Sequence, residues 1–373
     1  MTKTITPYQT IGIIGGGQLG RMMCLAAKAM GYYVAVLEPT PNSPCGQVAD
    51  IEITAAYNDL DAIKQLAEIS DVITYEFENI DYDALTWLET NAYLPQGSQV
   101  LGTTKHRFKE KSAIAEMGIP VPKFTLIDCA ETLEKCVFYP SVLKTTTGGY
   151  DGKGQVVLKS IADLPRGLEL AKESECILEE FMNFDLEVSV IVARSTAGET
   201  TVFPVAENIH VNNICHKCIV PARISKEVEA QAIAHGKKIA ENLDAIGVLA
   251  IEMFVVGDTI YINELAPRPH NSGHYTIDAC VTSQFEQHVR AVCGLPLGDT
   301  SLHTPVVMVN ILGNHMDKEN MHNLAPYMPL IERGKIHLYG KAQAVDNRKM
   351  GHVNVLGDIN ENLMVIDTTK IWG

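Results

Sequence analysis

No stretch of this 373-residue sequence approaches the roughly eighteen consecutive apolar residues of a membrane-spanning helix, and its polar beginning, MTKTITPYQT, holds no apolar signal core. A cytoplasmic protein that does not engage a membrane is therefore expected. Basic residues are scarce as well: 30 Lys and Arg stand against 45 Asp and Glu, a net charge of −15, which argues against a broad electrostatic footprint for nucleic acid. Any phosphate ligand has to be held by local groups. The nine cysteines, odd in number and scattered from Cys24 to Cys293, offer no disulfide framework and read as reduced thiols used as small hydrophobes. One C-x-x-C string, Cys215 to Cys218 in HVNNICHKCIVPARI, has no second pair and a strand-like setting. His210 and His216 beside it do not complete a zinc or redox site.

What is present is α/β patterning, with 46% hydrophobic residues, enough for two or three buried cores. From Thr10 the chain runs TIGIIGGGQLGRMMCLAAKAMGYYVAVLE, in which Gly15, Gly17 and Gly20 spell G-x-G-x-x-G between a β-branched strand and a helix. A second strand ends in Glu38. Such glycines let a backbone approach a phosphate, and the helix N-terminus adds free N–H groups and partial positive charge. That predicts an anion near Gln18 and nothing more specific. Strands and helices alternate up to about residue 100, as expected of a small parallel α/β domain. The basic segment TTKHRFKEKSAIAEMGIPVPKF follows and reads as a boundary helix stopped by Gly118 and two prolines.

A second glycine-rich stretch, SVLKTTTGGYDGKGQVVL, joins two strand-like runs through Gly148, Gly149, Gly152 and Gly154. A hairpin of this kind can fold its N–H groups over nucleotide phosphates while Lys144 reaches the α- and β-phosphates. In CILEEFMNFDLEVSVIVA, Glu179 and Glu180 end a strand and Glu187 starts another, where a carboxylate can accept both ribose hydroxyl protons. In LAIEMFVVGDTIYINELAPRPHNSGH, two strands flank the Gly257-Asp258 turn and bring Glu252 and Glu264 opposite or diagonal to each other, depending on a one-residue register. Two carboxylates on one hairpin face repel unless a cation lies between them, and hard oxygen ligands favour Mg²⁺.

Lys144, TGGYDGKGQ, LEEF, Glu187 and the Glu252/Glu264 pair together resemble the ATP-grasp superfamily. The strings GGGQLGRM, TGGYDGKGQ and NELAPRPHNSGH are similar, in this order, to the 5-(carboxyamino)imidazole ribonucleotide synthases within it. The resemblance covers essentially the whole chain. It implies an ATP-grasp fold: an N-terminal Rossmann-like parallel α/β domain (1–104), central ATP-grasp α+β domains (105–300, with a lid at about 120–182) and a small strand-rich C-terminal domain (301–373). It also implies an ATP-dependent ligase that carboxylates 5-aminoimidazole ribonucleotide with bicarbonate through carboxyphosphate, in a homodimer acting on small molecules only.

Carried over residue by residue, the resemblance puts Arg107, Lys144, Gly148, Gly149, Asp151, Gly152, Gly154, Glu179, Glu180, Glu187 and His210 on ATP, and Mg²⁺ on Glu252 and Glu264. Arg268, His270 and Asn271 would hold bicarbonate or carboxyphosphate. Gln18, Leu19, Glu76, Tyr150, Asp151, Lys341, Arg348 and Lys349 would bind the ribonucleotide, Lys341 also acting in catalysis. Val345, Asp346 and Asn347 depart from the Arg-Pro-Gly-like stretch usual before the Arg-Lys pair, so the loop geometry there is not carried over. A formate-dependent glycinamide ribonucleotide transformylase shares a Pro-Arg-Pro-His string, but HNSGH and GGGQLGRM favour the carboxylating enzyme. An NAD-dependent oxidoreductase would leave the second glycine hairpin and the carboxylate pair unexplained, and a non-catalytic nucleotide sensor would require loss of metal ligands that are both present.

Overall fold

Near-continuous apolar runs such as Thr-Ile-Gly-Ile-Ile mark strands covered on both faces, the habit of parallel sheets. In the computed structural model, which describes residues 3–78, 80–149, 154–316 and 323–369, they build the first layer. Strands β1 (Thr10–Ile14), β2 (Tyr33–Glu38), β3 (Ile51–Thr54) and β4 (Val72–Tyr75) form a parallel sheet in the order β3-β2-β1-β4. Helix α1 (Gln18–Ala29) packs Met22, Met23 and Ala27 on one face. Helices α2 (Leu60–Ile69) and α3 (Tyr82–Asn91) cover the other with Ile63, Leu66, Leu85 and Leu88.

Two short helices, α4 (Gln99–Thr104) and α5 (Arg107–Glu116), lead to an antiparallel sheet. It contains β5 (Phe124–Ile127), β6 (Ser141–Thr145), β7 (Gln155–Leu158) and β8 (Cys176–Glu180), in the order β5-β8-β6-β7. Helices α6 (Ala130–Cys136) and α7 (Leu164–Glu173) cover it through Leu133 and Ala171. Lys144 lies on β6, whose register with β7 places it opposite Gln155 at the mouth of the glycine hairpin.

The third sheet spans the rest. It takes in β9 (Leu186–Arg194), β10 (Thr200–Val202), β11 (Ala206–Val211), β12 (Ile214–Val220), β13 (Gly247–Val256) and β14 (Thr259–Ala266). The strands β15 (Val306–Leu312), β16 (Gly334–Leu338) and β17 (Lys349–Leu356) continue the same sheet, because β15 pairs antiparallel with β12. Helix α8 (Lys226–Asn242) buries Ala232, Ile239 and Ala240 against β9 and β13. After the short α9 (Thr276–Ala279), α10 (Gln284–Val292) inserts Phe285, Val289 and Val292 into the core under α1, which fastens the first sheet to the third. Helices α11 (Met328–Ile331) and α12 (Ile359–Thr368) close the far end. No helix among the described residues is long and apolar enough to cross a membrane, and all nine cysteines are free thiols.

Candidate active site

The glycine hairpin depends on backbone that side chains rarely adopt: Gly148, Gly149 and Gly154 have φ of +66°, +74° and +69°. Arg107, at the start of α5, gathers it from below. Its guanidinium donates to the carbonyls of Thr145 (2.7 Å), Gly148 (2.5 Å) and Gly149 (3.0 Å), so it organises the loop as well as facing the cavity. Lys144 Nζ lies 2.8 Å from the buried Glu179 carboxylate. Burial alone would raise Glu179, but the nearby Lys111 and Lys144 charges outweigh it and hold the carboxyl below its ordinary range. Glu180 points to solvent and lies outside the cavity wall. Tyr150, Asp151 and Gly152 lie outside the described residues.

Glu187, near the start of β9, forms an ion pair with His210 of β11 across the sheet. Burial opposes protonation of this imidazole, yet the Glu187 carboxylate prevails and carries it up to about 9. Both residues line a cavity of about 550 Å³, together with Lys144, Glu179, Glu252 and Glu264.

The register of the β13–β14 hairpin is now explicit. From the turn, Val256 pairs with Thr259 and Met253 with Ile262; a bulge then accommodates Asn263, so that Glu252 stands directly opposite Glu264. Burial, and next the Glu264 charge, push the Glu252 carboxyl up to about 8. Its nearest ion-pair partner, His270 Nε2 at 3.6 Å, is itself held well below the usual imidazole range by burial and then by Arg268, and supplies no positive charge at neutral pH. Two carboxylates facing each other in the wall of this cavity, one of them raised by burial and by the charge of the other, suit a hard divalent cation between them.

Beyond β14 the chain turns through Pro267 to His274. Arg268 is aligned by Glu78, whose carboxylate accepts from Nε at 2.7 Å. Gln284 of α10 brackets His270, accepting from its N–H (2.9 Å) and donating to its carbonyl (2.7 Å). Arg268, His270, Asn271 and Lys349 line both the large cavity and a second one of about 270 Å³, whose other walls include Gln18, Leu19 and Glu76. At the N-terminus of α1, Glu76 accepts from the N–H groups of Gly17 and, at 2.6 Å, Gly20, while those of Gln18 and Leu19 have no hydrogen-bond partner among the described residues. Burial raises Glu76 despite those two bonds.

Lys341 lines neither cavity; its Nζ lies 2.6 Å from the carbonyl of Lys349, which lines both, and over the Tyr339 ring. Burial, then the Arg348 charge, bring its ammonium down to about 7. Arg348 is exposed and outside both cavity walls. In the departing stretch, Asn347 takes φ of +65°, a conformation asparagine tolerates better than most residues, so it can fill a glycine's place in the turn.

Three family models match the chain in series: a ribonucleotide synthetase preATP-grasp domain over residues 8–103, an ATP-grasp domain over 112–285, and a phosphoribosylaminoimidazole carboxylase C-terminal domain over 306–364. The N5-carboxyaminoimidazole ribonucleotide synthase of Bacillus subtilis (strain 168) is 53% identical over 99% of this chain and 97% of its own length. The chain belongs to the N5-carboxyaminoimidazole ribonucleotide synthases. A solved synthetase of this family in complex with ADP superimposes with a TM-score of 0.96 at 60% identity, covering 100% of this chain and 99% of that one. The Aspergillus clavatus synthase, solved with ADP and 5-aminoimidazole ribonucleotide, gives a TM-score of 0.90 at 32% identity, covering 97% of each chain. The transformylase and oxidoreductase readings fall with this result. Glu38, which an NAD site would turn toward a ribose, instead accepts from the Gly16 N–H at 2.9 Å and from the Tyr57 hydroxyl.

Some residues of this synthase site were not singled out from sequence. Glu110 and Lys111, in the segment read as a basic boundary, are buried: Glu110 accepts from the Leu265 N–H at 3.2 Å, and Lys111 donates to the Ile262 carbonyl at 3.1 Å and to that of Asn263. Their adjacency inside a charged run disguised them as solvated surface. Glu78, two residues past Glu76 in YEFEN, had no periodic signal to mark it.

Proposed function

We propose that the two joined cavities carry the two halves of one carboxylation, ATP and bicarbonate in the larger and the ribonucleotide in the smaller. The activity itself is that of its family: ATP-dependent carboxylation of 5-aminoimidazole ribonucleotide in purine biosynthesis. In the proposed sequence a bicarbonate oxygen takes the γ-phosphoryl group and ADP leaves; the exocyclic amine then attacks the carboxyl carbon, phosphate departs, and the amine gives up a proton. The hairpin backbone and Lys144 hold the phosphates, and Glu187 with protonated His210 holds the ribose. Glu252 and Glu264 would hold Mg²⁺, which would supply positive charge to neutralise the phosphates during transfer.

Arg268, His270 and Asn271 hold the bicarbonate-derived anion, while Lys341, Lys349 and the free N–H groups of Gln18 and Leu19 take the ribonucleotide phosphate. One observation carries the reading: the same four residues, Arg268, His270, Asn271 and Lys349, wall both cavities, so a carboxylated intermediate made in one is already at the door of the other. A short-lived intermediate needs that shared wall to escape hydrolysis. ADP release measured with each substrate omitted in turn tests it. Release should need bicarbonate and be greatest with all three substrates present; release indifferent to bicarbonate refutes the order. The homodimer and cytoplasmic location belong to the same proposal and rest on the family resemblance and composition; sedimentation equilibrium checks the first.

A further inference from the structure

Strand β15 reads Val-Val-Met-Val-Asn-Ile-Leu, with all seven residues buried. A carboxamide in the middle of such a strand costs free energy unless its polar atoms are paired, and Asn310 is paired on both edges. Its Nδ2 donates to the Cys215 carbonyl (2.9 Å) and to Asn271 Oδ1 (2.7 Å), while its Oδ1 accepts from Asn271 Nδ2 (2.9 Å). The orientation of this chain of amides is set by a group that cannot be reversed. A backbone carbonyl only accepts, so Asn310 must turn Nδ2 toward Cys215, and that dictates the edge it offers to Asn271.

We propose that Asn310 is a positioning residue for the carboxylation: it holds the Asn271 carboxamide in one orientation, with the second Nδ2 hydrogen free for the bicarbonate-derived anion where the cavities meet. The inference rests on the reading above, in which Asn271 touches that anion. A second buried asparagine supports the same role for the C-terminal strands. Asn354 of β17 donates to the His274 carbonyl (3.1 Å) and to Asp278 Oδ2 (2.8 Å), gripping the segment just beyond Asn271.

The test compares Asn310→Leu, which keeps the volume and removes the hydrogen bonds, with Asn271→Ala and with the double variant. Loss of one hydrogen bond to a charged ligand corresponds to roughly ten- to a hundredfold. Asn310→Leu should raise the KM for bicarbonate about tenfold, leave the KM for ATP within about twofold, and release more ADP than carboxylated product. The double variant should be no worse than Asn271→Ala alone. Asn310→Ser, smaller and still able to hydrogen-bond the Cys215 carbonyl, is measured alongside so that a folding defect in the leucine variant does not decide the result. An unchanged bicarbonate KM in the Asn310 variants, when Asn271→Ala raises it, overturns the proposal. A wild-type bicarbonate KM in Asn271→Ala removes Asn271 from the anion site and overturns the reading beneath it.

Discussion

Lys341 offers a prediction whose size can be worked from its surroundings. Its Nζ makes one hydrogen bond among the described residues, to the Lys349 carbonyl, so two of its three N–H groups are left for a ligand. Burial and Arg348 bring the ammonium down to about 7, so at neutral pH only about half of the molecules carry the charge. A charge-assisted contact with a phosphate contributes on the order of 2 kcal/mol, about thirtyfold in affinity. Only the protonated fraction can make it, and each pH unit above the free-protein value costs about 1.4 kcal/mol. Combining the two, Lys341→Ala should weaken 5-aminoimidazole ribonucleotide binding about fifteenfold at pH 7, about fourfold at pH 8 and hardly at all at pH 9.

The ligand's own phosphate does not confuse this window, because its second ionisation, near 6 by analogy with phosphorylated side chains, is largely complete by about pH 7. Calorimetry at the three pH values, each in two buffers of different ionisation enthalpy, measures both the affinities and the protons taken up. Wild type should take up a substantial fraction of a proton per site near pH 7.5, and the variant none. ATP affinity should be nearly unchanged. A ratio of wild-type to variant affinity that stays constant across these pH values refutes the titrating contact, and a ratio of one at pH 7 removes Lys341 from the ribonucleotide site.

Glu264→Gln should lower ATP turnover at least about a hundredfold, or roughly 3 kcal/mol, because a neutral amide cannot share a divalent cation with Glu252; near-normal ADP release at ordinary Mg²⁺ would sink the metal assignment. Gly149→Val places a β-branched side chain at φ of +74° and should raise the KM for ATP or lower kcat with little change in Tm; a collapsed Tm with normal ATP kinetics in the folded fraction would make the glycine purely structural. His210 is raised from 6.5 to about 9, so the folded state keeps a proton that the unfolded state has lost across that interval. Its contribution to stability is complete below about 6.5 and falls as pH rises to about 9, by at most about 1.4 kcal/mol per unit; denaturant titrations should show this slope in wild type and not in His210→Asn.

How much of this could be read from the chain depended on whether the signal was periodic, local or long-range. The parallel sheet declared itself through runs such as Ile11 to Ile14, and Gly257-Asp258 announced the β13–β14 hairpin, because both are properties of neighbouring residues. Whether Glu252 faced Glu264 could not be read, since it turns on the bulge at Asn263, a register shift with no residue signature of its own. Glu110 and Lys111 were hidden for a different reason. A run of mixed charge on a helix ordinarily faces water, and only the fold reveals that these two turn into the β14 end of the cavity. The double use of Glu76, which caps the glycine turn of α1 and also walls the smaller cavity, is a contact across 56 to 59 residues that no local pattern encodes.

The charge inventory then explains why the two ends of the site are built differently. A chain with a net charge of −15 repels phosphates at a distance, so each phosphate must be attracted at close quarters. At the nucleotide end the cations arrive already compensated: Lys144 on Glu179, Lys111 against the carbonyls of β14, and Arg107 on the hairpin carbonyls. Those contacts hold the three cations in place within the protein, so in the proposed reading they lose little freedom when a nucleotide binds. At the end proposed for the ribonucleotide, Lys341 sits buried beside Arg348 and carries its charge in only about half of the molecules at neutral pH. Under the proposed assignment, phosphate binding there takes up a proton and completes the cation. In the proposed reading the nucleotide half is thus preorganised and the ribonucleotide half is completed by its substrate, which suits a reaction whose intermediate must be kept from water until the acceptor amine is in place.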